Sequence, residues 1–258
     1  MEKTAAKIAP SYSEILEKRR FNHTTHVIPD KIYFTINEAV IGTASNFVTI
    51  TGLPKTSKST IISALISSFI TGAPVLNFKL NSYQDKYKIA LFDTEQSAYD
   101  FSRSVKRITR FTKYDQPGIF KFYDAFLLRE DSSQHILRLI NTYLEQTPEL
   151  AILIIDGLLD CIESMNDEAA SKRLIQTLKR WGKKFNILII TVLHLGKKDN
   201  SSIGHIGSAS DRYAQSTLLV EKTKNNTFTC SPKFLRSSKD FEQIEIMYSD
   251  QAKNFILI

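Results

Sequence analysis

One stretch constrains this chain more than any other: Gly52-Leu-Pro-Lys-Thr-Ser-Lys58-Ser59-Thr60. It follows a short β-rich run at 47–51 and leads into a helix-like segment at 58–71. A strand, a turn and a helix that together carry G-x-x-x-x-G-K-[ST] make a phosphate cradle. Backbone N–H groups and the positive end of the helix converge there on an anion. Gly52, Pro54, Lys55, Thr56, Ser57, Lys58, Ser59 and Thr60 are the expected cradle. Within it Lys58 is expected to reach the β- and γ-phosphate oxygens, and Ser59 to hold Mg²⁺.

Ser57 stands where the pattern has its second glycine. If the backbone turns left-handed at that position, serine costs about 1 kcal/mol relative to glycine. The motif therefore supports nucleotide binding more strongly than fast turnover.

Around the cradle, strand and helix alternate. Strand-like runs at 88–94, 119–126, 151–156 and 186–195 are separated by helical stretches at 97–111, 132–146 and 167–185. In the last helix Leu174, Leu178, Trp181 and Phe185 step by four, three and four and form one apolar face. The run AILIID at 151–156 is nearly all apolar, as a parallel strand covered on both faces must be. This alternation specifies an α/β fold with a mostly parallel central sheet flanked by helices. After Gly207 four β-like runs follow, with Asn225-Asn226 as a hairpin turn, which predicts an antiparallel extension at the C-terminus. Residues 1–31 read as a helical arm and linker, and 32–258 as the main domain. Ser11 and Glu14 have the spacing of a capping box ahead of a short helix. That helix either packs on its own domain or reaches a neighbouring subunit.

Bulk properties fit one packed body. The chain has 258 residues, 42% hydrophobic and 24% charged. Its net charge of +7 admits a polyanionic partner without requiring one. No apolar run reaches the roughly 18–20 residues of a membrane span, and the charged N-terminus lacks the apolar region of a secretion signal. The expected setting is cytoplasmic, without membrane contact. Two cysteines, Cys161 and Cys230, supply neither a disulfide framework nor a CxxC metal pattern, and read as inert thiols.

Carboxylates complete the expected site. Asp156 closes the apolar strand and reads as the acid that orients Mg²⁺; the alternative is a strand-end cap. Glu95 follows the 88–94 strand, where a general base could polarise an attacking water. Asp93 competes for that role, and Glu95 could instead complement the dipole of the following helix.

On TGLPKTSKST, LFDTEQ, LIIDGL, TVLHLGK, GHIGSAS and the trailing strands, residues 32–258 resemble RecA-like P-loop ATPases. Within that group they are similar to the hexameric plasmid replicative helicases of the RepA family. The resemblance implies ATP and Mg²⁺ as cofactors, a homo-oligomeric ring, contact with single-stranded DNA, and Glu95 as catalytic base. It also implies that His194 senses the γ-phosphate, and that the loop at 196–210 faces DNA. Lys233 and Arg236 would reach the neighbouring subunit's nucleotide. On the residues alone, His194 is equally a structural strand-end histidine, and Lys233 and Arg236 a solvated face.

Lys197, Lys198 and His205 are the candidates for touching nucleic-acid phosphates. The loop at 157–168 is acidic and is expected to face elsewhere. The basic side of the 167–185 helix is a weaker candidate, since cations there also suit a helix C-terminus. The leading expectation is a DNA helicase or a replication or mobilisation ATPase of a plasmid, phage or mobile element. The alternative is an ATP-dependent regulatory or adaptor protein with little turnover. A small-molecule kinase shares the cradle, but the late strands suit it poorly.

Overall fold

The structure, a computed structural model, describes residues 11–113, 121–196, 203–225 and 227–258. Helix α1 (Tyr12–Arg19) comes first, and Ser11 and Glu14 form the expected reciprocal capping box at its start. None of its residues is buried. A hairpin of β1 (Ile32–Ile36) and β2 (Ala39–Thr43) follows, and β3 (Phe47–Gly52) then runs into α2 (Lys58–Thr71). The chain continues through β4 (Phe78–Leu80), β5 (Lys88–Asp93), α3 (Ala98–Thr112), β6 (Tyr123–Leu127), α4 (Ser133–Gln146) and β7 (Leu150–Asp156). A 3-10 turn at Leu158–Cys161 leads to α5 (Glu168–Phe185), β8 (Leu188–His194) and α6 (Gly204–Tyr213). Strands β9 (Ser216–Lys222), β10 (Phe228–Leu235), β11 (Ile244–Ser249) and β12 (Asn254–Leu257) finish it.

Among the described residues, the main sheet has the order β12-β11-β10-β9-β3-β8-β7-β5-β6. From β9 to β6 every pairing is parallel, and from β9 to β12 every pairing is antiparallel. This is the parallel core with antiparallel extension expected from the sequence. Strand β8 shows how the sheet is clad: Leu188, Ile190 and Val192 join a core with α2 and α3, while Ile189 and Leu193 join one with α4 and α5. Every residue of β7 is buried, because both its faces carry helices. On α5, Leu174, Leu178 and Trp181 are buried and Phe185 packs partly buried beside them. The Trp181 indole N–H donates to Asn141 Oδ1 at 3.1 Å, so its polar atom is satisfied.

Two expectations need correction. The strand expected over 119–126 is β6, which begins at Tyr123 after a turn at 121–122, and residues 119–120 lie outside the described residues. The segment expected as one loop over 196–210 is helical from Gly204 onward. Gly204, at φ +64°, lies against the Met165 carbonyl, and the His205 N–H donates to that carbonyl at 3.0 Å. His205 therefore sits in the first turn of a helix anchored to the segment before α5, while Lys197 and Lys198 lie outside the described residues. A small antiparallel sheet, β2-β1-β4, had no signature in the sequence reading. Its strands are short, and β4 joins from beyond α2, a pairing that local periodicity cannot reveal.

Candidate functional site

Parallel strands end on the same edge of a sheet, so β3, β5, β7 and β8 deliver their last residues to one place. There Gly52 ends β3, Asp93 ends β5, Asp156 ends β7 and His194 ends β8. A side chain on Gly52 would come within 2.7 Å of Thr56 Oγ1 and closer still to the Val220 carbonyl. Glycine is therefore required where β9 crowds the base of the loop.

The loop itself turns left-handed twice, at Lys55 (φ 66°) and Ser57 (φ 62°). Ser57 thus occupies the conformation for which the motif normally supplies glycine. It is the N-cap of α2 yet makes no side-chain cap bond, and the first turn holds no acid. The first N–H groups of α2 and its positive end stay available to an anion. Thr56 Oγ1 ties the loop to itself by donating to the Leu53 carbonyl at 2.8 Å.

Lys58 is buried at 7% exposure. Its ammonium donates to the carbonyls of Gly52 (3.0 Å) and Leu53 (2.8 Å) and lies 3.2 Å from His194 Nδ1. An ammonium has no lone pair, so Nδ1 accepts and the ring proton resides on Nε2. That Nε2–H points at Glu95 Oε2, 3.0 Å away. A hydrogen-bonded chain Lys58–His194–Glu95 results. Burial lowers the Lys58 pKa, although Asp156 and Glu95 pull the other way. Burial raises that of Glu95, but the hydrogen bond from His194 and the nearby charge of Lys58 outweigh it and hold the carboxyl below its usual range. Glu95 is therefore ionised, and its side chain remains 33% exposed, within reach of water.

Asp93 has a different task. Its carboxylate accepts from the backbone N–H of Gln96 (2.8 Å) and of Glu95 (3.1 Å), and from the Gln96 side chain. It caps the turn that aims Glu95, which argues against Asp93 as the base. Asp156 is pushed up to about 8 by burial and by the nearby charges of Asp93 and Glu95, against the pull of Lys58. This concentration of negative charge is what a divalent cation relieves. Among the described residues no group of three or more His, Cys, Asp or Glu is arranged to hold a metal ion. Mg²⁺ suits such a place, because it commonly takes one or two protein ligands and fills its shell with phosphate oxygens and water. Ser59 and Asp156 are the residues that would hold it.

These groups open on a cavity of 740 Å³ whose lining includes Lys55–Thr60, Glu95, Asp156 and His194. That volume admits a nucleotide. Pro54 lies elsewhere, in a 230 Å³ cleft between the loop and β9. The lining of the main cavity also includes residues that the sequence did not single out: Arg103 and Arg107 from α3, Arg129 after β6, and Phe255 from β12. The Arg107 guanidinium sits 5.7 Å from the centre of the Phe255 ring, and its Nη1 is buried without a hydrogen-bond partner among the described residues. Burial, with Arg103 and Arg110 nearby, lowers the Arg107 pKa. The sequence signal was present in α3 as a run of cations. Nothing local indicated that the last strand would reach it.

Lys233 and Arg236 are not brought to this cavity. Strand β10 runs back along β9, so Leu235 pairs with Ser216 at the start of the parallel strands. The ends of a six-residue strand lie about 17 Å apart. Arg236, just past Leu235, therefore sits at the far end of the sheet from its own cradle, while Lys233 lies level with the middle of β3. Lys233 pairs with Asp211 at 2.8 Å, and Arg236 donates to the Arg212 carbonyl. Both cysteines are buried, and burial pushes each thiol up to about 12. No described helix is long and apolar enough to cross a membrane.

A family model described as an AAA domain matches residues 40–200, a span that includes the loop, Glu95, Asp156 and His194. In three dimensions the chain is similar to the RadB recombinase at 12% identity, with a TM-score of 0.59 over 82% of this chain and 90% of that one. It is also similar to a KaiC-like protein of the hyperthermophilic archaeon Pyrococcus horikoshii OT3. That match has 13% identity and a TM-score of 0.60, over 84% of this chain and 90% of the other. At such identities the likeness concerns the fold. No curated protein matches the sequence. With its family model matching more than half of its length, the chain belongs to the AAA domain family and carries the RecA-like P-loop ATPase fold.

Proposed function

We propose that this protein is a Mg²⁺-dependent ATPase that assembles into a ring and acts on DNA, as a helicase or as a replication or mobilisation ATPase of a mobile element. The observation that carries the ATPase reading is the Lys58–His194–Glu95 chain beside Asp156, all within one cavity at the strand ends. In this reading Lys58 and the start of α2 bind the β- and γ-phosphates. Ser59 and Asp156 hold Mg²⁺, which supplies charge neutralisation when bound. Glu95 takes the proton of the attacking water, and His194 ties that base to the phosphate-binding lysine.

The ring and DNA parts rest on other features. Arg236 lies at the end of the sheet away from its own cradle and Lys233 lines no part of the cavity, which suits a role at a neighbour's site. An arginine supplied in that way makes hydrolysis depend on assembly. The exposed arm of residues 11–30 suits a contact with that neighbour, and Lys197, Lys198 and His205 are the proposed DNA contacts.

Turnover of ATP·Mg²⁺ measured with and without single-stranded DNA, together with particle size, tests the proposal. Glu95→Gln should lower turnover by about 10²-fold or more while leaving ATP affinity nearly intact. Binding without measurable turnover in the unmodified chain would favour the regulatory alternative. A monomer in the presence of ATP and Mg²⁺ would exclude the in-trans role of Arg236.

A further inference from the structure

Gly157 follows Asp156 directly, and the Glu95 side chain lies across it. A β-carbon at position 157 would stand 2.9 Å from Glu95 Cδ and nearer still to Oε1. We propose that Gly157 is a positioning residue for Glu95: its bare Cα is the seat of the carboxylate, and a side chain there suppresses hydrolysis without weakening nucleotide binding. The inference rests on the reading of Glu95 as general base.

The seat cannot easily give way, because two turns are clasped together beneath it. The Thr94 N–H donates to the Asp156 carbonyl at 2.7 Å, and the Gly157 N–H donates to Thr94 Oγ1 at 3.0 Å. The Thr94 hydroxyl in turn donates to Asp160 Oδ2 at 2.7 Å. Thr94 is itself buried at 3% exposure. What yields to an added β-carbon is therefore the free end of Glu95, a flexible carboxylate, and not the backbone. Gly157 has φ −119° and ψ 153°, an extended conformation open to any residue. Alanine there meets no obstacle of φ and ψ, and the nearest atoms its β-carbon meets are those of the Glu95 side chain. Displacing that carboxylate also breaks its 3.0 Å contact with His194 Nε2.

The test compares the full-length chain with its Gly157→Ala variant. Turnover of ATP·Mg²⁺ should fall about tenfold or more, while affinity for a non-hydrolysable ATP analogue stays within about twofold. In a Glu95→Gln background, Gly157→Ala should change the residual single-turnover rate by less than about twofold, because both changes act through one group. Unchanged turnover in Gly157→Ala, or a loss that adds in full to that of Glu95→Gln, overturns the proposal. The ¹⁵N resonance of His194 Nε2 gives a reading independent of hydrolysis. It should move in Gly157→Ala, and an unmoved resonance rejects the seat. A moved resonance in a chain that hydrolyses nothing sinks the ATPase reading alone.

Discussion

At the scale of single residues, the phosphate loop balances strain against purpose. Ser57 holds φ 62° without the freedom of glycine. Serine accepts this conformation at modest cost; a β-branched residue does so badly. Ser57→Val should lower unfolding free energy by about 1–2 kcal/mol and weaken ATP binding. Ser57→Gly should lie within about 1 kcal/mol of the unmodified chain, since relief of strain is offset by a more flexible unfolded state. Denaturant unfolding of both variants checks this, and equal stability of the valine and glycine forms would refute it. The same scale explains why Asp93 and Glu95, two residues apart, are not interchangeable. One carboxylate is consumed by backbone N–H groups, and the other faces the cavity.

Among the elements, the C-terminal extension has the least obvious part in the site. The β11–β12 hairpin is local in sequence, yet it brings Phe255 beside Arg107 of α3 and into the lining of the cavity. A flat aromatic face beside a guanidinium suits a nucleobase. Phe255→Ala should weaken ATP binding about tenfold, or about 1.4 kcal/mol, and leave affinity for inorganic tripolyphosphate unchanged. An equal loss for both ligands would show that the ring supports the fold and not the base. The sequence disclosed β12 as a strand but not this contact, because sheet curl depends on how four strands twist together.

For the whole molecule, the arm is the unresolved element of stability. Helix α1 has eight residues and buries none of them, with Tyr12 88% and Leu16 69% exposed. Phe21 and Ile28 beyond it are 70% and 80% exposed. A helix this short is marginal in water without tertiary support. In the proposed ring, the neighbouring subunit provides that support. Removing residues 1–30 should abolish assembly with ATP and Mg²⁺ and leave the melting temperature of the remaining domain nearly unchanged, as read by light scattering and calorimetry. A truncated chain that assembles as before would remove the arm from the interface.

The amino-acid sequence by itself determined the cradle, the alternation of strand and helix, and the positions of Glu95, Asp156 and His194 at strand ends. These features are written in local spacing: period in the helices, apolar runs in the buried strands, and a motif at one strand–helix junction. Only the tertiary structure decided which residues share a cavity. It separated Arg236 from its own cradle, because an antiparallel strand returns its end to the far edge of the sheet, and left Lys233 outside the cavity lining. It turned part of an expected loop into α6, and joined β4 to β1 across α2. It also set Gly157 against Glu95 and Phe255 in the cavity lining. Each of these depends on segments far apart in the chain, and a contact of that kind leaves no period in the sequence.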